Sequence, residues 1–480
     1  MKKWTNLWTT RPYSPFLMSQ VVKATVIKFS NEIFPKSAIT KGGTYWKNKS
    51  ENYFYIDYEI DKTVDLLSKK ALKSPQFLYN LFEAAFKKAI ALNKFTEKYG
   101  RSSLKNAPSK DLVSHLKKLE KKFYNMYAYA TNAALMGYID DNPIYKGAND
   151  ILNKKLANAA FDKKLMGLAD YLVILTNPPR RLKTLEQGLE ILKIAKIAKS
   201  KKYVSQKEIL KNFYRELKKI KNKYEFLSFD FCDTINWDLK HYANLVKERA
   251  GLKNIEKQIY DLENYDRITN EKFKKSCVEL ALSESEIKVF NLIKFLGYYK
   301  WAREHEFQHA LYNIKFVQDE LGKRCGLSSL ETKYLLPHEL EKALLEPEKY
   351  KKLAEERFKH CLIVADKNKG VQIWQGEEAR IRYEKMEFIK ESDEDFTKIL
   401  SLKGTPARAG KAKGAVKIIN TVKHNYKMEK GDILISQATT PDLLSAMKKA
   451  AAIITNEGGI TCHAAIVSRE LGIPCIVGTK

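Results

Sequence analysis

Two short stretches hold residue types whose spacing could do chemistry. In Gly458-Gly459-Ile460-Thr461-Cys462-His463-Ala464-Ala465-Ile466-Val467, a histidine stands where a Gly-Gly turn becomes a helix, with an apolar strand on either side. Two glycines let backbone N–H groups approach an anion closely, and a helix start adds unpaired donors and positive dipole. Such surroundings suit His463 as a phosphoryl carrier, because the same field keeps imidazole neutral, and hence nucleophilic, before transfer. A nitrogen nucleophile forms a labile phosphoramidate, which splits one transfer between distant sites into two displacements. Gly458 and Gly459 would leave room for the phosphate, and Thr461 would cap the helix or donate a hydroxyl. Thr439 and Thr440, just before Pro441, are candidates to line the same edge, unless one of them simply caps the next helix.

The second stretch is His305-Glu306-Phe307-Gln308-His309, a literal H-E-x-x-H. On a helix it sets two imidazoles one turn apart beside a carboxylate, the arrangement of zinc metallopeptidases, with Glu320 or Glu331 as conceivable third ligands. Charged Arg303 two residues earlier, and helical surroundings without the strands of a peptidase cleft, argue against zinc hydrolysis. The expected role is a polar helix face, with a substrate-facing role in phosphoryl transfer as the other option. A third stretch, Gly404 to Ala412, looks like a phosphate-binding loop, but it has one residue too many and Ala412 where a metal-binding hydroxyl should stand. A strand and turn are expected there.

The elements that must position these residues fall into two regions. From Lys62 to about Leu345 the apolar residues recur at helical spacing, as in Leu78, Leu81, Phe82, Phe86 and Ile90. Breaks at Asn142-Pro143, Asn177-Pro178-Pro179 and Gly326-Leu327-Ser328-Ser329 separate the helices. A hairpin, 361–365 with 370–374, closes this region. Glu391-Ser392-Asp393-Glu394-Asp395 reads as an exposed acidic linker. Beyond it, strands at 415–419, 432–436, 451–455 and 474–477 alternate with helices from about Pro441 to Lys449 and from His463 to Leu471. The expected fold class is multidomain, α and α/β: a large, mostly helical domain over 1–390, a linker over 391–397, and a compact C-terminal α/β domain over 398–480.

At 480 residues the chain is too long for one ordinary core. Its hydrophobic content of 44% fits a folded protein, and it lacks both a run of roughly 18 apolar residues and the apolar stretch of a signal peptide. A cytoplasmic protein with no membrane partner is the expectation. The net charge of +29 invites nucleic acid, but the lysines are dispersed and outnumber arginines about five to one. Solvated helix faces account for that pattern, although a non-catalytic basic binding protein is an alternative. Six widely separated cysteines without a C-x-x-C pair point to free thiols.

Residues Gly404 to Lys480 resemble the phosphohistidine swivelling domain of phosphoenolpyruvate-utilising enzymes, the group containing pyruvate phosphate dikinase, phosphoenolpyruvate synthase and rifampicin phosphotransferase. Three blocks carry the resemblance: 404–407 with 410–414; 431–434 through Thr439-Thr440-Pro441-Asp442; and the long block from Thr455 to Pro474. It implies that His463 is transiently phosphorylated. More weakly, Trp4 to Phe16, Lys223 to Leu227 and Gly326 to Leu340 resemble the helical substrate-binding domain of rifampicin-phosphotransferase-like proteins. Nothing in the sequence resembles the ATP-grasp domain that charges the histidine, or a phosphoenolpyruvate-binding barrel. The resemblance therefore implies no cofactor bound directly, with ATP and magnesium at the donor site of an ATP-grasp partner or missing domain, and a small-molecule acceptor on the helices. Gly478-Thr479-Lys480 falls inside the swivelling fold, where related sequences continue, so the domain is expected to be truncated at its end.

Overall fold

The computed structural model describes residues 3–10, 14–47, 50–99, 104–138, 142–158, 166–229, 237–389, 401, 403–420, 422–439, 443–459 and 462–479. The expected linker at 391–397 lies outside them. Contacts group the chain into two compact units, one built from 1–136 with 306–399 and the other from 137–305 with 400–480.

The first unit contains a five-stranded antiparallel sheet in the order β1-β3-β2-β4-β5, formed by Trp4–Thr10 (β1), Lys41–Lys47 (β2), Ser50–Ile56 (β3), His360–Asp366 (β4) and Gly370–Gln375 (β5). The last two strands are the expected hairpin; β1 to β3 add a sheet to a region expected to be mostly helical. Their sequence favours it: Thr44-Tyr45-Trp46 and Tyr53-Phe54-Tyr55-Ile56 are β-branched and aromatic. One sheet face packs Tyr45, Phe54 and Leu362 against Ala379, with Trp4, Trp374, Tyr383 and Phe388 around them. Helices Glu59–Lys73, Pro75–Thr96 and Pro337–Ala343 belong to this unit, and the stripe Leu78, Leu81, Phe82 and Ala85 is buried as its period requires.

The second unit combines helices with the C-terminal α/β fold. Helix Leu239–Ala250 packs on Lys183–Ser200 and on Gln206–Asn212; its start is set by Asp238, whose carboxylate accepts the His241 N–H at 2.8 Å. The C-terminal sheet has the order β6-β10-β9-β8-β7, from Thr405–Arg408 (β6), Val416–Ile418 (β7), Ile433–Ser436 (β8), Ala452–Thr455 (β9) and Cys475–Val477 (β10). Strands β7 to β10 run parallel, and β6 pairs antiparallel with β10, so the stretch resembling a phosphate loop starts with a strand. Short helices Leu444–Met447 and His463–Leu471 cross between parallel strands, as a parallel sheet demands. The core between sheet and helices holds Ile419, Met428, Leu434, Leu443, Met447, Ile453, Ala464, Ala465, Val467 and Val477. All four strands expected beyond the linker form within a residue of their expected starts, and the helix over 463–471 has the expected bounds. Gly472 ends it in the left-handed region, φ 70°.

Within the same unit the α/β fold is anchored to the helices. Helix Leu168–Thr176 packs against β6, Asp170 lies 4.0 Å from Arg408, and Lys448 reaches Glu248 at 3.0 Å. Among the described residues, no helix is long and apolar enough to cross a membrane, and no cysteine is in a disulfide.

Candidate active site

The site lies where parallel strands hand over to helices, the edge of an α/β sheet at which ligands ordinarily bind. His463 is the first residue of the helix that follows β9. The residue before it caps the helix: Cys462 adopts an extended backbone and its Sγ accepts the Ala465 N–H at 3.4 Å. Thr461, expected to cap the helix or donate a hydroxyl, lies outside the described residues, as does Thr440; cysteine is not a usual cap, so nothing in the sequence singled out Cys462.

The glycine turn has a geometric requirement. Gly458 sits at φ 105°, and a Cβ there would come within 2.8 Å of Cys462 Sγ, so any side chain would both strain the backbone and collide with the cap. Gly459 closes the turn by accepting the Cys462 N–H at 2.9 Å through its carbonyl. The glycines thus hold the helix start at its angle to β9, which fixes the position of the imidazole.

Thr439 is brought to the same place from the loop after β8. It is buried, and its Oγ1 lies 2.9 Å from His463 Nδ1. A network holds that loop: Asn420 Oδ1 accepts from Gln437 N at 2.8 Å and from Ser436 Oγ at 3.2 Å, and Gln437 Nε2 donates to Glu457 Oε1 at 2.9 Å. The ends of β8 and β9 are further tied by Asn456 N to Ser436 O and Glu457 N to Gln437 O. Two threonines were candidates in the sequence; the fold delivers Thr439 to the histidine.

The other end of the histidine helix is braced by Arg469, whose Nε donates to Ala407 O in β6 at 3.1 Å. Burial lowers its guanidinium to about 10, partly offset by Cys462, Cys475 and Tyr265. Burial likewise pushes the Cys475 thiol up to about 12, which makes it a packing residue of β10 and a poor nucleophile.

The H-E-x-x-H residues lie on the long helix Glu284–Arg324, but their side chains serve different environments. In the first unit, Asn93 Nδ2 donates to Glu306 Oε2 at 2.9 Å and lies 3.1 Å from His309 Nδ1. In the second unit, His305 is 6% exposed, and its Nδ1 is buried without a hydrogen-bond partner. Burial pushes its pKa down to about 3, with repulsion from Lys183 and from His463 adding to the effect. Among the described residues, no three histidine, cysteine or carboxylate side chains gather as a metal site, and Asn93 engages the glutamate and second histidine that a zinc site would need.

Residues 428–480 match the family described as PEP-utilising enzyme, mobile domain. A probable phosphoenolpyruvate synthase of Archaeoglobus fulgidus is 56% identical over 100 residues, 21% of this chain and 13% of that protein. The phosphoenolpyruvate synthase of Pyrococcus furiosus is 57% identical over 79 residues, 16% of this chain and 10% of that protein. That of Pseudomonas aeruginosa is 50% identical over 86 residues, 17% of this chain and 11% of that protein. The chain therefore spans 13% or less of the length of these three relatives. Residues 428–480, with His463 at the start of their second helix, are thus the part of the chain that matches the mobile domain of phosphoenolpyruvate-utilising enzymes.

Proposed function

We propose that the chain is the carrier and acceptor component of a phosphotransferase, with His463 as the residue that is transiently phosphorylated. The contact of Thr439 Oγ1 with His463 Nδ1 carries this reading. With Nδ1–H donating to the threonine hydroxyl, the ring is held in the tautomer whose Nε2 lone pair attacks phosphorus, and the same bond stabilises the imidazolium that results. The mobile-domain match and the relatives named phosphoenolpyruvate synthase support transfer through a histidine.

In this reading the phosphoryl group comes from ATP and magnesium held by an ATP-grasp partner or domain, and it passes to a small molecule bound by the helices, in the cytoplasm. The test is to incubate the chain with labelled ATP and an ATP-grasp protein, and in parallel with inorganic phosphoramidate as a chemical donor. The expected product is an acid-labile, base-stable phosphate on His463. No label on the wild type with either donor, or label that survives His463→Ala, would sink the reading.

A further inference from the structure

The C-terminal α/β fold has a hydrophobic core of its own. Every side chain of that cluster among the described residues, from Ala407 in β6 to Val477 in β10, belongs to the C-terminal stretch, and none comes from the helices of the same unit. What joins the fold to those helices is of another kind. Helix Leu168–Thr176 lies along β6, and two ion pairs bridge the contact: Arg408 with Asp170 at 4.0 Å, and Lys448 with Glu248, on helix Leu239–Ala250, at 3.0 Å. A shared core would fix the two parts as one body, whereas a contact made through surface charges lets them part. We infer that helices 168–176 and 239–250 are a docking station for the histidine-bearing fold, and that the two ion pairs are its latch, opened by salt or by competing charge.

The strengths suit a latch. Arg408 and Asp170 are 38% and 39% exposed, so water and salt screen them and the pair is weak by itself. Lys448 is more enclosed than its partner, at 22% against 57% for Glu248. Burial lowers the Lys448 pKa, Glu248 opposes that effect, and Arg249 adds repulsion. Withdrawn from water beside a second cation, Lys448 depends on the Glu248 carboxylate for its charge to be tolerated. The two pairs also start from different elements of the fold, β6 and the residue after helix Leu444–Met447, which makes the attachment a two-point one. Neither pair uses a residue of the histidine site, so opening the latch leaves the bonds around His463 in place.

Release has a use if His463 carries phosphoryl groups, and that use rests on the carrier reading. A carrier that takes from one site and gives at another has to leave the first, and a rigid body held by a few charges does so without unfolding.

The experiment treats the full chain with a water-soluble carbodiimide, which joins a lysine to a carboxylate in contact with it, and measures the Lys448–Glu248 isopeptide by mass spectrometry. Lys257 and Asp261, 2.6 Å apart within one helix, supply the internal reference, because no movement between parts separates them. Relative to that reference, the Lys448–Glu248 product should fall about three- to tenfold between about 0.1 M and about 1 M salt, as the screening length shrinks from about 10 to about 3 Å. Asp170→Asn at low salt should lower it by a similar factor, since removing one charge of the other pair acts on Lys448 only through docking. Arg408→Gln should do the same, which separates loss of the pair from a defect in either part. A ratio that both variants leave unmoved overturns the latch, and so does absence of the product at low salt while the reference forms. Phosphoramidate labelling of His463 should be equal in the wild type and both variants. Absence of label in all three removes the carrier reading, and with it the use of release, while the cross-link ratio still judges the latch.

Discussion

Thr439 Oγ1 and His463 Nδ1, 24 positions apart in the chain and carried by the loop and the helix start that follow neighbouring parallel strands, meet at 2.9 Å. In the proposed carrier role, that bond orients the imidazole and selects the nitrogen that takes the phosphoryl group. Thr439→Val keeps the shape and removes the bond. Label incorporation on His463 should fall about three- to tenfold, corresponding to a net hydrogen bond of roughly 1 kcal/mol, while the thermal midpoint stays near that of the wild type. Equal labelling rates would show that the threonine does not set the tautomer.

Gly458 adopts φ 105° directly against Cys462. Gly458→Ala should cost on the order of 1–3 kcal/mol through backbone strain alone, and more if the cap is displaced. Differential scanning calorimetry should show a lowered midpoint for the transition that includes the histidine domain, and His463 labelling should drop with it.

In the first unit, Arg357 and Glu339 are buried and joined by two bonds of 2.6 and 2.7 Å, with a third from Arg357 to Tyr334 O at 3.0 Å. The pair ties helix Pro337–Ala343 to helix Pro347–Lys359. Arg357→Met strands a buried carboxylate and should destabilise by about 3–5 kcal/mol in urea unfolding. The double variant Arg357→Met with Glu339→Gln should recover part of that loss; if the single variant unfolds like the wild type, the pair contributes nothing.

Burial pushes His305 down to about 3 and His115 down to about 4. In the unfolded chain both titrate near the ordinary histidine value of about 6.5, so below it the unfolded state binds protons that the folded state refuses. Stability is therefore full above about pH 6.5 and falls as the pH drops towards the folded-state values, a loss on the order of 2–4 kcal/mol by pH 5. Urea midpoints from pH 7.5 to 5 should show that decline. His115→Phe should flatten it, since the ring already stacks on Phe95 at 4.4 Å between centroids and its Nε2 has no partner. An unchanged slope would remove His115 from the account.

Much of this protein is written locally. The strands and the 463–471 helix of the C-terminal fold follow from short apolar runs punctuated by Gly431, Gly472 and Pro474, because turn residues and alternating periods act over a few positions. The sheet strands β1 to β3 were less legible. Of these, β2 takes as one partner β4, more than 300 residues away in the chain, and pairing at that separation leaves no periodic trace beyond a preference for aromatic and β-branched residues.

By itself the sequence determined that a histidine begins a helix after a glycine turn, and that Thr439, Thr440, His305 and His309 were worth watching. The tertiary structure decided which of them meet. Parallel pairing of β8 with β9 sets the loop of Thr439 beside that of His463, so a hydroxyl reaches the ring. His305 is buried within the second unit, whereas Asn93 occupies Glu306 and His309 in the first. Residue type and spacing specify what a side chain is able to do; the long-range contacts that choose its neighbours are paid for by burial of the whole core, which no short window of sequence records.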